Sequence, residues 1–312
     1  MRSLFLILTL VFCGAAVEAQ HLDAPAFGRK SLSVQYENDL FGHTDYYYTQ
    51  GLQLAYSHPA LQKLFLAKAM LRLRDTVYST GAGIEQDCYT PMSILSDTIL
   101  RSDRPFAAGL MLNCHLSSGK GKAVLTSRLS LGIVGAAAGG YEMQRGIHEN
   151  TGNIIPHGWQ YQIRNDAIVN YEMACSYPFI KLRGAANYLV PELSVQGLAT
   201  VNAGTYLDKL SIGLSIRAGL TNEHAKPDCW LSYEVRGAAI GYDATLQGGI
   251  FNRDSPYTIP AEQLTRATGQ QKAGLVLRFG ALQLEGSYTW LSREFEGGKN
   301  HAWGGLSAAA IF

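Results

Sequence analysis

The sequence predicts an all-β protein: a single antiparallel transmembrane β-barrel of about twelve strands with long extracellular loops. Three observations carry that expectation. The chain opens with an export segment. No later apolar stretch reaches the roughly 20 residues that a membrane-crossing helix needs. Instead, short segments of alternating polar and apolar residues recur along the chain.

The export segment comes first. Arg2 supplies a positive charge, Leu4 to Phe12 are almost wholly apolar, and Val17-Glu18-Ala19 forms a small-x-small cleavage site. That is the layout of a secretory signal peptide. Residues 1–19 are therefore expected to be removed, leaving 20–312 as one outer-membrane barrel domain of a bacterial cell. Cys13 does not make a lipoprotein signal, because Phe12 stands where a small residue is required.

The strands follow from period-two alternation, which sends successive side chains to opposite faces of a sheet. In Lys209 to Leu220, the residues Leu210, Ile212, Leu214, Ile216, Ala218 and Leu220 share one face, while Ser211, Gly213, Ser215, Arg217 and Gly219 share the other. Comparable runs lie near 31–38, 49–57, 79–90, 106–116, 123–134, 168–176, 188–199, 206–218, 230–242, 271–279, 282–292 and 303–312. Ser117 to Lys122 and Gly280-Ala281 read as hairpin turns. His301 to Phe312 ends on an aromatic, as the final strand of many bacterial outer-membrane barrels does. A closed barrel leaves no unpaired edge, as lipid requires.

Composition agrees. Glycine (33 residues) and tyrosine (17) are abundant, only 16% of residues are charged, and the net charge is +1. Nothing in that balance points to nucleic acid as a partner. Cys88, Cys114, Cys175 and Cys229 show no metal-binding spacing. Four cysteines allow three disulfide pairings, among which sequence does not choose, and buried thiols serve equally well.

Three stretches break the alternation: Leu61 to Arg74, readable as a short amphipathic helix; Gly139 to Gln162, polar with two histidines; and Gly248 to Leu264, with Pro256 and Pro260. In barrels, long loops usually lie outside the cell and carry function.

Two polar clusters could carry chemistry. Tyr36 to Gly51 holds three carboxylates, two amides, a histidine and four tyrosines. It reads either as a polar hairpin loop with interfacial tyrosines or as a hard-cation site, with Asp39, Asp45 and the Asn38 amide oxygen as donors that calcium prefers. In the second cluster, His148 lies beside Glu149 in a long loop. It is either a solvated histidine or a general base. Asp103-Arg104 reads as an ion pair at the start of a strand. There is no G-x-S-x-G elbow, P-loop or H-E-x-x-H helix.

Taken in order, these segments resemble the outer-membrane lipid A 3-O-deacylase family of the LpxR type. The resemblance runs through Glu37-Asn38-Asp39-Leu40-Phe41, Thr44-Asp45, Tyr48-Thr49-Gln50-Gly51, Tyr89-Thr90-Pro91 and Asp103-Arg104-Pro105-Phe106-Ala107. It continues through Gln144 with His148, and Gly158-Trp159 with Gln162. It implies a twelve-stranded barrel with an active site at the outer-leaflet end, calcium as cofactor with Asp39 as a ligand, and lipid A of lipopolysaccharide as substrate. It also implies Asn38, Asp39 and Thr49 as active-site residues and His148 as the catalytic histidine. The reaction implied is hydrolysis of the ester that holds the 3′-acyloxyacyl group, by a monomeric protein. Two positions depart from the family pattern. Ile154 replaces a glutamate five residues before the loop tryptophan, and a lysine after the Tyr-x-Pro segment is missing, with Ser96 near that place. The alternative expectation is a non-catalytic outer-membrane barrel: a degenerate homologue, a small pore or a surface-binding protein.

Overall fold

The computed structural model describes residues 27–42, 46–74, 76–184, 189–222 and 228–312. The expected signal peptide, together with Thr44 and Asp45, lies outside the described residues. Twelve strands, one for each alternating segment, close into an antiparallel barrel. They are β1 (Ser31–Asn38), β2 (Tyr47–Ser57), β3 (Val77–Thr90), β4 (Ala107–Lys120), β5 (Ala123–Val134), β6 (Asp166–Arg183), β7 (Leu189–Gly204), β8 (Leu207–Asn222), β9 (Asp228–Asp243), β10 (Ala267–Phe279), β11 (Leu282–Leu291) and β12 (His301–Ile311). Every strand pairs with its sequence neighbours, and β1 pairs with β12 along its full length, from Ser31 opposite Ile311 to Asn38 opposite Gly304. Beyond those strands the closure continues by one more pair, Lys30 and Phe312, whose amides each donate to the other's carbonyl at 3.0 and 2.9 Å.

The alternation read from Leu210 to Leu220 holds in three dimensions. Ile212 is 66% exposed on the outer wall, whereas Ser215 is 1% exposed and Arg217, also buried, lies across the Trp230 ring at 3.9 Å. The outer wall therefore presents aliphatic side chains to lipid. The interior is filled by charged residues that neutralise one another. Arg128 reaches Glu85 at 3.3 Å and Glu172 at 3.9 Å, Lys272 reaches Glu285 at 3.5 Å, and Arg278 reaches Asp228 at 3.0 Å. Such charges are tolerable in the barrel because each is paired away from the acyl chains.

The two ends differ. The start of β1, the end of β12 and two-residue turns such as Gly121-Lys122 and Gly280-Ala281 mark the periplasmic end, where bacterial barrels keep short connections. At the opposite, outer rim lie two of the three irregular stretches. One contains helix α2 (Gly140–Thr151), and the other follows the single turn α3 (Ala244–Gln247). The first stretch is at the other end. Leu61 to Arg74, with the single turn α1 (Phe65–Ala69), follows the downward strand β2 and so belongs to the periplasmic side. No helix among the described residues is long and apolar enough to cross a membrane, which is silent on crossing by strands. All four cysteines of the described chain are thiols, Cys88 and Cys114 buried and Cys175 exposed.

Candidate active site on the outer wall

Glu37 and Asp87 line the barrel interior, so their neighbours Asn38 and Cys88 point the other way, to the outer wall. Register then places Asn38 opposite Gln50, Gln50 opposite Cys88, and Cys88 opposite Ala108. One cross-strand row thus runs along the outer face of β1 to β4, near the outer rim.

At the β1 end of that row, three of the expected site residues meet. The Asn38 amide Nδ2 donates to the Thr49 carbonyl at 2.8 Å, and its Oδ1 accepts from the Leu40 amide at 2.8 Å. Asp39, in the 3-10 turn Asp39–Gly42, accepts from the Tyr46 amide at 2.7 Å and lies 3.5 Å from the Thr49 hydroxyl. Asp39 and Thr49 are both buried. Thr49 reaches this place because β2 carries a bulge: the register with β3 shifts between Tyr48 and Gln50, and Thr49 is the extra residue. Bulges of this kind re-aim a side chain out of the regular alternation. Next to it, Tyr47 adopts φ 69°, a left-handed conformation rare for an aromatic residue. It is held by packing against Phe295 and His301 and by its hydroxyl, which accepts from the Lys299 amide at 3.2 Å.

At the β4 end of the row sits helix α2. Its Gly140 is pressed against the wall: a Cβ there would lie 2.6 Å from both the Ala108 Cβ and the Trp159 ring. Gly140, Gln144 and His148 form its buried face, at the i, i+4, i+8 spacing of one helical side. The Trp159 indole donates to Gln144 Oε1 at 2.7 Å, and Gln86, on the outer face of β3, donates to the Ala138 carbonyl at 2.6 Å. Gly152 ends the helix with φ 73° and turns the chain back, which brings the Ile154 carbonyl to 2.5 Å from His148 Nδ1. A carbonyl oxygen only accepts, so Nδ1 carries the proton in that bond. Gln86 Oε1, Gln144 Nε2 and Gln162 Oε1 are buried without a hydrogen-bond partner in the structure.

His148 makes no contact among those described with Asn38, Asp39 or Thr49. The structure puts the two halves on the same wall, about three strand spacings of roughly 4.8 Å apart between Asn38 and Ala108. One sequence expectation changes, and one neighbour of His148 takes no part in the site. Glu149, one residue on from His148, turns to solvent and pairs with Arg145 at 2.7 Å, because a step of one residue rotates a side chain about 100° around the helix. Asp103 does not pair with Arg104; it caps the loop by accepting from the Met92 and Arg104 amides, each at 2.8 Å. The Arg104 side chain is instead fully buried beneath the rim. It bonds Glu294 and the Thr245 hydroxyl, each at 2.5 Å, and lies over the Tyr89 ring at 4.1 Å. Burial works against its charge, but the carboxylates of Glu294 and Asp243 outweigh it and hold the guanidinium above its ordinary pKa.

The oxygen donors at the β1 end fit a hard cation in kind: the Asp39 carboxylate, the Thr49 hydroxyl and nearby carbonyls. Among the described residues no three histidines, cysteines, aspartates or glutamates cluster as metal ligands, so the donors here are mostly neutral oxygens around the Asp39 carboxylate. A separate cavity of about 260 Å³ lies inside the barrel, lined among others by Asp87, Lys209, Asp243, Glu294 and His301. It is not where the expected site residues lie.

Outer-membrane barrels with a polar site on the lipid-facing side of the rim are the class these features define. The family model described as "Outer membrane protein LpxR" matches residues 4–312, and the chain belongs to that family. Among solved structures it is similar to LpxR from Salmonella typhimurium, with a TM-score of 0.71 and 18% identity, covering 90% of this chain and 100% of that one. An outer-membrane channel from Pseudomonas putida F1 matches more loosely, with a TM-score of 0.47 and 11% identity over 95% of this chain and 100% of that one. No curated protein matches the sequence.

Proposed function

We propose that the protein is a calcium-dependent lipid A deacylase. It hydrolyses the ester that carries the 3′-acyloxyacyl group, with His148 as general base and with Asn38, Asp39 and Thr49 at the ester. One observation carries this reading. His148 is buried against the lipid-facing wall with its Nδ1 proton committed to the Ile154 carbonyl. That bond leaves Nε2 as the nitrogen able to take a proton from water. The backbone carbonyl thereby does the orienting that a carboxylate does elsewhere, so an isoleucine at position 154 is compatible with a working base. Calcium held beside Asp39 would act as a Lewis acid on the ester carbonyl. The Asn38 bond to the Thr49 carbonyl and the bulge at Thr49 keep that end rigid. The unspent polar atoms of Gln86, Gln144 and Gln162 suit the polar part of a glycolipid.

The alternative of a non-catalytic barrel keeps one favourable observation, the exposed apolar side chain of Ile154 beside His148. Mass spectrometry of lipid A from cells expressing wild type or His148→Ala, with and without calcium, decides between the two. Loss of an acyloxyacyl mass only with wild type and calcium is the expected result. An unchanged lipid A profile with a folded wild-type barrel overturns the proposal.

A further inference from the structure

The connection between β2 and β3 spans residues 58–76, at the end of the barrel where the other connections are two to five residues long. It does not hang free. The Leu71 amide donates to the Tyr171 hydroxyl at 2.9 Å, the Leu73 amide to Ser118 Oγ at 3.0 Å, and Ser127 Oγ to the Leu71 carbonyl at 2.8 Å. Ala67 and Met70 pack on Cys114 and Leu116. These partners stand on the outer face of β4, β5 and β6, where bare hydroxyls facing acyl chains would cost free energy. The segment covers them with its own backbone.

Its other side is unlike a soluble surface. Leu64, Phe65, Leu66 and Leu71 are exposed, Phe65 by 81%. Lys63 just before them, Lys68 among them and Arg74 just after them are exposed as well. Arg72 turns back, donating to the Ala67 and Lys68 carbonyls at 2.8 and 2.6 Å. In residues 58–76 the sequence carries four cations, Lys63, Lys68, Arg72 and Arg74, against one acid, Asp75.

We propose that Leu61 to Arg74 is an in-plane seat for anionic phospholipid headgroups of the periplasmic leaflet. Exposed leucines and a phenylalanine enter the acyl boundary, and long basic side chains reach along them to the headgroups. The cation excess selects headgroups with net negative charge over zwitterionic ones, because each lysine or arginine near such a surface is worth roughly a fivefold change in partitioning. A segment bonded to three strands and bound to one leaflet also fixes how deep the barrel sits.

The test is lipid retention by the full-length folded barrel in native mass spectrometry, with phosphatidylglycerol or phosphatidylcholine added. Wild type should retain phosphatidylglycerol preferentially. K63Q/K68Q/R74Q should lose at least tenfold of that preference, while R29Q/K30Q/K122Q, with an equal charge change at the same end, should keep it. Folding is checked for each by heat-modifiable mobility. Should the triple variant fail to fold, K68Q alone should lose about fivefold. An unchanged preference in either segment variant, or an equal loss in the control, overturns the proposal.

Discussion

His148 owes its geometry to a turn of backbone rather than to a side chain. Gly152 reverses the chain in a left-handed conformation and delivers the Ile154 carbonyl to Nδ1. His148→Ala is therefore expected to lower the deacylation rate by about 10²–10⁴-fold, the range for loss of a general base. Barrel mobility should be unchanged, with the acyl product read by mass spectrometry. Replacing Ile154 leaves the carbonyl in place, so Ile154→Ala should keep most of the activity in the same assay. Asp39 is the proposed calcium ligand: Asp39→Asn and calcium chelation should each suppress deacylation, with added calcium restoring only the wild type. Arg104 bears on the fold. Arg104→Met strips the buried partner from Glu294, whose side chain is 16% exposed, and should destabilise the rim by about 3–5 kcal/mol, measured as a lowered thermal transition.

Helix α2 can approach the wall only because Gly140 has no side chain. Gly140→Ala should lift the helix from Ala108 and Trp159, lowering deacylation while the strands still form. Strand-level circular dichroism and lipid A mass together read that separation. Sequence legibility divides along similar lines. The period-two rule reaches every strand, since Leu210 or Ile212 can satisfy only one face. Asn38, Asp39, Thr49 and His148 could be named through a family resemblance, although nothing in spacing says that the first three meet where β1 passes into β2 while His148 lies apart. The bulge at Thr49 is illegible because it is a matter of register between β2 and β3, and the Arg104–Glu294 pair, 190 residues apart in sequence, because it depends on closure of the barrel. The sequence does carry one signal of these places. Gln86, Ser118, Ser127 and Tyr171 are polar residues in the phase of their strands that should meet lipid, and each marks a place where another segment lies over the wall.

At the scale of the molecule, the interior and exterior exchange the roles familiar from porins. The lumen is occupied by paired charges such as Arg128–Glu85, Lys272–Glu285 and Arg278–Asp228. Reconstituted in a planar bilayer, the barrel is expected to show no stable conductance steps; porin-like steps would count for the pore reading instead. The row from Asn38 to Ala108 faces outward, beyond the strands rather than between them. A lipid substrate acting at such a row, as the proposed function requires, would travel sideways within the membrane plane. Encounter there is two-dimensional, so turnover should follow the mole fraction of substrate in the leaflet. Diluting the substrate with inert amphiphile at constant bulk concentration should slow the reaction, whereas diluting the whole suspension should not.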